Sequence, residues 1–460
     1  MQLYAESAFL SDGWARDVVF NIGDDGRIAG IEREVKRRPA GAARAAGPVL
    51  PGMPNLHSHA FQRALAGYAE RRGPGEDSFW GWRRVMYDLV ARLTPEQVQD
   101  IAAHTYVEML KAGYTSVGEF HYLHHDPEGQ PYAALTEMSD RVIAAAHAAG
   151  IAITHLPVLY AHGGFGGRDP EPAQRRFVST PERYARLLEA LFERYRGDDA
   201  VRLGIAPHSL RAITPELLRE ATALVSALDP AAPIHLHIAE QRREVDDCIT
   251  WCRCRPIEWL LDTSDVNERW CLVHATHAEA GEVTRMARSG AVVGLCPTTE
   301  ANLGDGVFSA AAYVGAGGRF GIGSDSHISI SPIEELRMLE YGQRLVRERR
   351  TVLSGNEVPS VGRRLYVGAA RGGAQALGRA AGALAVGHRA DLVVLDPQTP
   401  ALWYKPGDLL FDAVVFAGNV NPVRDVLVGG RWRVVERRHA QEDEIAARFR
   451  QVQRTVRVEG

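Results

Sequence analysis

Between about residue 50 and residue 380, short apolar runs alternate with longer amphipathic stretches, and this alternation restricts the possible folds most strongly. Short apolar runs bounded by turn residues predict buried strands, whereas apolar residues at helical spacing predict covering helices. The predicted strands are residues 53–58, 116–120, 152–159, 202–207, 234–239, 270–274, 292–296 and 320–324. Eight such units predict an α/β fold, a (β/α)8 TIM-like barrel with long loops. A doubly wound open sheet is the alternative.

Helices are predicted between these strands over residues 95–112, 135–149, 181–196, 215–228, 257–261 and 278–289. Three of them begin with Thr-Pro-Glu, so that Thr94, Thr180 and Thr214 can cap the first turn. Proline at the first helical position costs no hydrogen bond, which makes this tripeptide a typical helix start.

The two ends of the chain have a different pattern, with short strands separated by turn residues. Three strands are predicted within residues 1–50, and a hairpin with a Gly429-Gly430 turn lies within residues 381–460, followed by a charged terminal helix. We therefore predict a catalytic barrel over residues 51–380. Residues 1–50 and 381–460 are predicted to form a small β-sandwich beside it.

Composition is that of a soluble globular protein, with 45% hydrophobic and 24% charged residues. The formal net charge of −4 gives no reason to expect a nucleic acid or a membrane surface as partner. No signal sequence and no apolar run of about 18 residues is present, so we expect a cytoplasmic enzyme. The five cysteines contain no Cys-x-x-Cys pair, which favours reduced thiols over a soft-metal cluster.

Polar residues suited to metal binding and proton transfer recur at the ends of the predicted strands. His57 and His59 end the first strand, and residues two apart on a strand point to the same face. Later strand ends carry His237, Glu240, His274 and Asp325. Because a barrel gathers the carboxyl ends of its strands at one face, we expect these side chains to meet there.

The chemistry of these residues predicts one hydrolytic metal site. We expect His57, His59, His237 and Asp325 to hold a divalent ion, zinc or alternatively iron(II). Such an ion lowers the pKa of a bound water, to about 7 in zinc enzymes. Glu240 can then shuttle a proton, while His274 and Asp325 act on the attacking water. His235 shares the strand face of His237 and is the alternative ligand.

This set of residues resembles the amidohydrolase superfamily, and within it the deaminases that hold one metal ion. The binuclear branch usually carries a bridging carboxylated lysine on the fourth strand, but this chain has no lysine between Lys111 and Lys405. The resemblance therefore implies a single ion, together with the barrel, the flanking β domain and a homodimer.

Two arginines near the predicted barrel mouth, Arg83 and Arg211, indicate a substrate with carboxylates, because a guanidinium binds a carboxylate bidentately. Residues 61–67, 79–83 and 207–212 resemble segments of deiminases in the same superfamily, which release ammonia hydrolytically. That resemblance implies that a small dicarboxylate is held by Gln62, Arg83, Tyr122, His208 and Arg211. Arg84 is the alternative to Arg83.

Two other functions remain open from the sequence. One is a deaminase of a guanine-like or adenosine-like heterocycle on the same scaffold, which a neutral, aromatic-lined pocket would favour. The other is a non-catalytic protein that kept the barrel, which loss of the metal ligands would favour.

Overall fold

The structure is a computed structural model that describes residues 1–70 and 79–456. The N-terminal end forms short strands, as the turn residues predict. They are β1 (Gln2–Leu10), β2 (Gly13–Ile22), β3 (Ile28–Glu32), β4 (Ala43–Arg44) and β5 (Val49–Pro51).

The central part of the chain forms the predicted (β/α)8 barrel. Its strands are β6 (Met53–Ser58), β7 (Tyr114–His121), β8 (Ala152–Leu159), β9 (Val201–Leu203), β10 (Ala206–Pro207), β11 (Ile234–Ile238), β12 (Trp270–His274), β13 (Val292–Leu295) and β14 (Arg319–Ile322). Each predicted strand lies within a residue or two of its expected bounds. The fourth is divided into β9 and β10 at Gly204, whose α-carbon is so close to Pro233 O that a Cβ would lie 2.5 Å from it.

Parallel pairing runs from β6 through β7 and β8 to β10, and from β11 to β14. Single bridges close the ring: Ile205 and Ser209 pair with β11 residues, and Ser58 pairs with Asp325 just beyond β14. The barrel strands are buried along their whole length, except at the outer ends of β9 and β14, as expected for parallel strands covered by helices.

The C-terminal end returns to the sheet begun by the N-terminal strands. It adds β15 (Leu392–Leu395), β16 (Val423–Val428), β17 (Arg431–Val435) and β18 (Arg438–His439). The strand order is β18-β17-β16-β15-β5-β1-β2-β3, with β4 beside β1. Both chain ends therefore share one sheet separate from the barrel. The Gly429-Gly430 turn has φ of +53° and +72°, which glycine adopts without strain.

The helices are α1 (Phe79–Val90), α2 (Pro95–Ala112), α3 (Glu137–Ala149), α4 (Pro181–Arg194), α5 (Pro215–Leu228), α6 (Arg242–Cys252), α7 (Pro256–Thr263), α8 (Ala280–Ser289), α9 (Pro297–Leu303), α10 (Ala310–Gly315), α11 (Pro332–Arg347), α12 (Val361–Ala376), α13 (Leu409–Phe416) and α14 (Glu442–Thr455). All six predicted barrel helices are present. Thr94, Thr180 and Thr214 each accept a hydrogen bond from a first-turn N–H, as predicted. Among the helices of residues 1–70 and 79–456, none is both long and apolar enough to cross a bilayer.

Candidate active site

The first and last barrel strands meet at their carboxyl ends, and this junction brings three of the predicted ligands together. The backbone N–H of Asp325 donates to His57 O at 3.0 Å, and the N–H of His59 donates to Asp325 O at 3.1 Å. Asp325 adopts a left-handed conformation with φ of +46°, which is uncommon for a residue other than glycine. The backbone itself therefore sets Asp325 beside the His-x-His segment.

Side chains from three strand ends form a compact buried cluster around this junction. Nε2 of His57 lies 3.0 Å from Nε2 of His237, a residue near the carboxyl end of β11. Oδ1 of Asp325 lies 3.5 Å from Nε2 of His57 and 3.4 Å from Nε2 of His59. The nitrogens of His57, His59 and His237 are thus close enough together to hold one small ion, and the Asp325 carboxylate lies next to two of them.

Hydrogen bonds to backbone carbonyls fix how two of these imidazoles are protonated. Nδ1 of His59 lies 2.8 Å from Phe120 O, and Nδ1 of His237 lies 3.1 Å from His208 O. Because a carbonyl oxygen only accepts, each Nδ1 carries the proton and each Nε2 keeps a free lone pair in the cluster. Such partners commonly orient metal-bound histidines.

The donor set fits a divalent cation. Burial lowers the pKa of His57 to about 3, so its imidazole is neutral. Burial opposes ionisation of Asp325, but the hydrogen bond with His57 and the nearby histidines lower its pKa below the ordinary range. Neutral imidazole nitrogens that face one another at 3.0 Å, next to one carboxylate, match the nitrogen and oxygen ligands of zinc or iron(II).

His274, at the end of β12, lies among three carboxylates beside the cluster. Its Nε2 is 3.7 Å from Oε1 of Glu240 and 3.8 Å from Oδ2 of Asp325, and its Nδ1 is 3.2 Å from Oε1 of Glu300. Burial opposes protonation of His274, yet the carboxylates raise its pKa to about 10. Burial also raises the pKa of Glu240. Proton donors and acceptors therefore lie next to the ligand cluster.

A single cavity connects this cluster with the residues predicted to hold the substrate. It encloses about 580 Å³, including its open mouth. Its walls include all five of those residues, Gln62, Arg83, Tyr122, His208 and Arg211, together with His59, His237, Glu240, His274 and Asp325. The structure thus brings the predicted cation-binding and anion-binding groups to one space.

The two arginines of the cavity differ in their surroundings. Arg211 is largely buried, with Nη2 3.9 Å from Oε2 of Glu240. Arg83, on α1, has its guanidinium over the ring of Tyr87 and Nη2 3.4 Å from the hydroxyl of Tyr160. Arg84 is exposed and is not part of the cavity wall.

Some residues of the site were not among those predicted from the sequence. Tyr87, Tyr160 and Phe177 line the cavity, and Glu300 accepts a hydrogen bond from Cys296 N–H while it contacts His274. The only available signal for Glu300 was its position just after the seventh strand, in Pro-Thr-Thr-Glu. Tyr160 directly follows β8, so its position at a predicted strand end was an available signal. Tyr87 and Phe177 come from α1 and a long loop, whose course over the barrel mouth no local pattern predicts.

Other residues considered as ligands lie elsewhere. The imidazole of His235 is near Ala376 O, with Nε2 at 2.7 Å, and it is not in the ligand cluster. All five cysteines are free, and Sγ of Cys248 and Sγ of Cys252 are 3.8 Å apart. Across the described ranges, 1–70 and 79–456, Cys248, Cys252 and Cys254 join no metal-type cluster.

An eight-stranded barrel with histidines and a carboxylate at its strand ends is the architecture of a metal-dependent hydrolase of the amidohydrolase type. The chain belongs to the amidohydrolase family, whose model matches residues 49–433. A second model, described as the N-terminal domain of formimidoylglutamate deiminase HutF, matches residues 2–44. The resemblance inferred from the motifs is therefore confirmed.

Known proteins resemble this chain over nearly its whole length. Formimidoylglutamate deiminase of Pseudomonas aeruginosa is 54% identical over 450 residues, which cover 98% of each chain. The crystal structure of an amidohydrolase from Brucella melitensis has a TM-score of 0.94 and 49% identity, and the match covers 99% of both chains. An adenosine deaminase from Xanthomonas campestris with bound zinc shares the fold, with a TM-score of 0.83 at 22% identity over 100% of this chain and 98% of that one.

The cluster predicts a specific difference between two histidines of the same strand. We expect His237→Gln to reduce bound metal to well below the wild-type content, because it removes an imidazole nitrogen from the cluster. His235→Gln is the matched control, since an amide can still donate to Ala376 O. Elemental analysis of the purified proteins measures this directly. Equal metal content in the two variants would contradict the assignment of His237.

Proposed function

We propose that the protein hydrolyses N-formimidoyl-L-glutamate to N-formyl-L-glutamate and ammonia, a step of histidine degradation. The observation that carries this proposal is one cavity in which two arginines face the buried histidine–aspartate cluster. Support comes from the similarity to a formimidoylglutamate deiminase across almost the entire chain. A dicarboxylate with a hydrolysable C–N bond suits both parts of this cavity.

His57, His59, His237 and Asp325 are the proposed ligands of one divalent ion, zinc first and iron(II) as the alternative. The zinc-containing structure of similar fold supports the choice of zinc. When bound, the ion supplies Lewis-acid chemistry and lowers the pKa of water at the site. The absence of any lysine between Lys111 and Lys405 supports a single ion rather than a pair.

Glu240, His274 and Asp325 are the proposed proton-transfer residues. Asp325 is ionised and can accept a proton from the attacking water, while Nε2 of His274, placed between Asp325 and Glu240, donates a hydrogen bond to the reacting oxygen. The Glu240 carboxyl delivers a proton to the terminal nitrogen of the formimidoyl group. This first proton turns the imino nitrogen into the amino group of a tetrahedral adduct. The remaining hydroxyl proton of the adduct then passes through the Asp325 and Glu240 carboxylates to the same nitrogen, so that a C=O bond forms, the C–N bond breaks and ammonia leaves.

Substrate carboxylates are proposed to bind Arg83 and Arg211, while Gln62, Tyr122 and His208 complete the contact surface. Nε2 of Gln62 donates to the hydroxyl of Tyr122 at 2.7 Å, so each group is held before a substrate arrives. Binding the remote carboxylates orients the formimidoyl carbon toward the proton-transfer residues. Contacts far from the reacting bond thereby contribute to its rate.

The other two functions are not favoured. The cavity is lined by aromatic side chains, but its wall also holds two charged arginines, so it is not the neutral pocket that would favour a heterocycle deaminase. A non-catalytic scaffold has no need of an intact ligand cluster. A cytoplasmic homodimer without nucleic-acid or membrane partners completes the proposal, supported by the composition and by the family resemblance.

The substrate assignment predicts the order of activity in an ammonia-release assay. We expect kcat/KM for N-formimidoyl-L-glutamate to exceed the values for guanine, adenosine and 8-oxoguanine by at least about 10³-fold, because those compounds lack the carboxylates that would pair with Arg83 and Arg211. Product identity is checked by detecting N-formyl-L-glutamate. Comparable ammonia release from a purine would contradict the substrate assignment.

Glu240→Gln is expected to lower kcat by about 10²- to 10⁴-fold, because the amide cannot carry the proton to the leaving nitrogen. Its metal content should equal that of the wild type, since Glu240 is not a proposed ligand. Both quantities are measured on the same preparation. A normal kcat in this variant would rule out the proton-shuttle role.

Two neighbouring arginines allow a matched test of carboxylate binding. We expect Arg83→Met to raise KM about 10- to 100-fold, the loss of a charged hydrogen bond. Arg84→Met should keep the wild-type KM because Arg84 is exposed outside the cavity. Both KM values are measured by steady-state kinetics with N-formimidoyl-L-glutamate. A larger effect at residue 84 than at residue 83 would reverse the assignment.

A further inference from the structure

Behind the ligand cluster lies a continuous chain of six fully buried polar side chains that the reaction does not use. It comprises Asn55, Ser324, His327, Ser58, Glu119 and Tyr106, and each is 0% exposed. Nδ2 of Asn55 donates to Oγ of Ser324 at 2.6 Å, and Oγ of Ser324 lies 3.0 Å from Nδ1 of His327. Nε2 of His327 is 3.0 Å from Oγ of Ser58, which donates to Oε2 of Glu119 at 2.5 Å. We call this set the buried chain.

The Glu119 carboxylate, between Ser58 and Tyr106, determines the direction of the hydrogen bonds in the buried chain. Glu119 accepts from Ser58 Oγ, from Ala60 N–H at 2.8 Å and from the Tyr106 hydroxyl at 3.0 Å. Ser58 has one hydroxyl proton and gives it to Glu119, so it accepts from Nε2 of His327. Nδ1 of His327 then accepts from Ser324, whose oxygen accepts from Asn55. One consistent arrangement of protons results.

The members of the buried chain are interleaved with the proposed metal ligands. Ser58 lies between His57 and His59, and Ser324 directly precedes Asp325, which His327 follows by two residues. The hydrogen bonds of the Ser58 hydroxyl restrain the backbone on both sides of Ser58, and this backbone carries His57 and His59. The hydrogen bonds of Ser324 and His327 hold the segment that carries Asp325 in the same way.

This segment also needs support. Asp325 and His327 have φ of +46° and +60°, a left-handed conformation that costs energy for residues with a Cβ. Strained backbone persists only where its surroundings over-determine it. The buried chain supplies that restraint through side chains, in addition to the backbone pair between His57 and Asp325.

We propose that the buried chain is a positioning device for the metal site: Ser58, His327 and Ser324, anchored on Glu119 and Asn55, preset the ligands of the first and last strands for the ion. This inference rests on the proposed metal site and assigns it residues that hold it in place. Residues that orient metal ligands typically change metal affinity 10- to 100-fold when replaced.

The test measures zinc affinity by competition with a chromophoric chelator, without substrate. Ser58→Ala breaks the buried chain between His327 and Glu119, and we expect zinc to bind about tenfold more weakly. Ser116→Ala is the matched control: Ser116 is also fully buried, on β7, and its hydroxyl has no hydrogen-bond partner in the described ranges 1–70 and 79–456. We expect its zinc affinity to equal that of the wild type.

Ser324→Ala breaks the buried chain on the other side of His327. Its zinc affinity tests the proposal independently if Ser58→Ala does not fold. We expect a similar loss of affinity, and a double variant that loses clearly less than the sum, because the second break finds the chain already broken. Additive losses would overturn the proposal.

Thermal unfolding of the metal-free proteins separates positioning from general stability. If Ser58→Ala and Ser324→Ala lower the unfolding midpoint but bind zinc as tightly as Ser116→Ala does, the chain is merely structural and the proposal is wrong. Because the readout is zinc affinity, this result leaves the substrate assignment standing. A failed ammonia assay likewise leaves the positioning role standing.

Discussion

The backbone pairing of Asp325 with the His57–His59 segment is the constraint on which the rest of the site depends. It closes the barrel between β14 and β6, and it places a carboxylate within 3.5 Å of two imidazoles by the same hydrogen bonds. The same two backbone hydrogen bonds close the barrel and bring the proposed ligands together. The barrel therefore cannot close in another register without separating those ligands. A one-residue slip would turn each side chain to the opposite face.

Electrostatics explain why this arrangement is suited to a cation. Asp325, Glu240 and Glu300 are buried around His274, and burying several carboxylates together is costly unless positive charge lies nearby. His274 can carry one positive charge, because the carboxylates around it raise its pKa. The histidines of the cluster stay neutral, because burial lowers their pKa values. A divalent ion held by the proposed ligands would offset the remaining negative charge. Arg211, 3.9 Å from Glu240, adds positive charge on the substrate side.

The barrel and its cluster were accessible from sequence because both follow from local patterns. Apolar runs gave the strands, and polar residues at their carboxyl ends had to converge once the barrel closed. Helix α12 was not predicted, because its four glycines, at 362, 368, 372 and 373, are more typical of a loop. In the structure a Cβ at Gly372 would lie 1.9 Å from Phe320 O, so close packing against β14 requires glycine there. A close contact of this kind between a helix and a strand produces no periodic pattern in the sequence from which the helix could be predicted.

Strands that contribute no proposed ligand still shape the cluster through their backbone. Phe120 O on β7 and His208 O beyond β10 each accept the Nδ1 proton of a proposed ligand, which leaves Nε2 directed into the proposed metal site. In the binuclear branch the fourth strand provides a side-chain ligand, whereas here its end provides a carbonyl while the His208 ring lines the cavity. The end of that strand can therefore serve metal orientation and substrate contact together. A strand end that provides a carbonyl and a cavity-lining ring, instead of a bridging ligand, is consistent with the proposed single ion and the proposed dicarboxylate substrate.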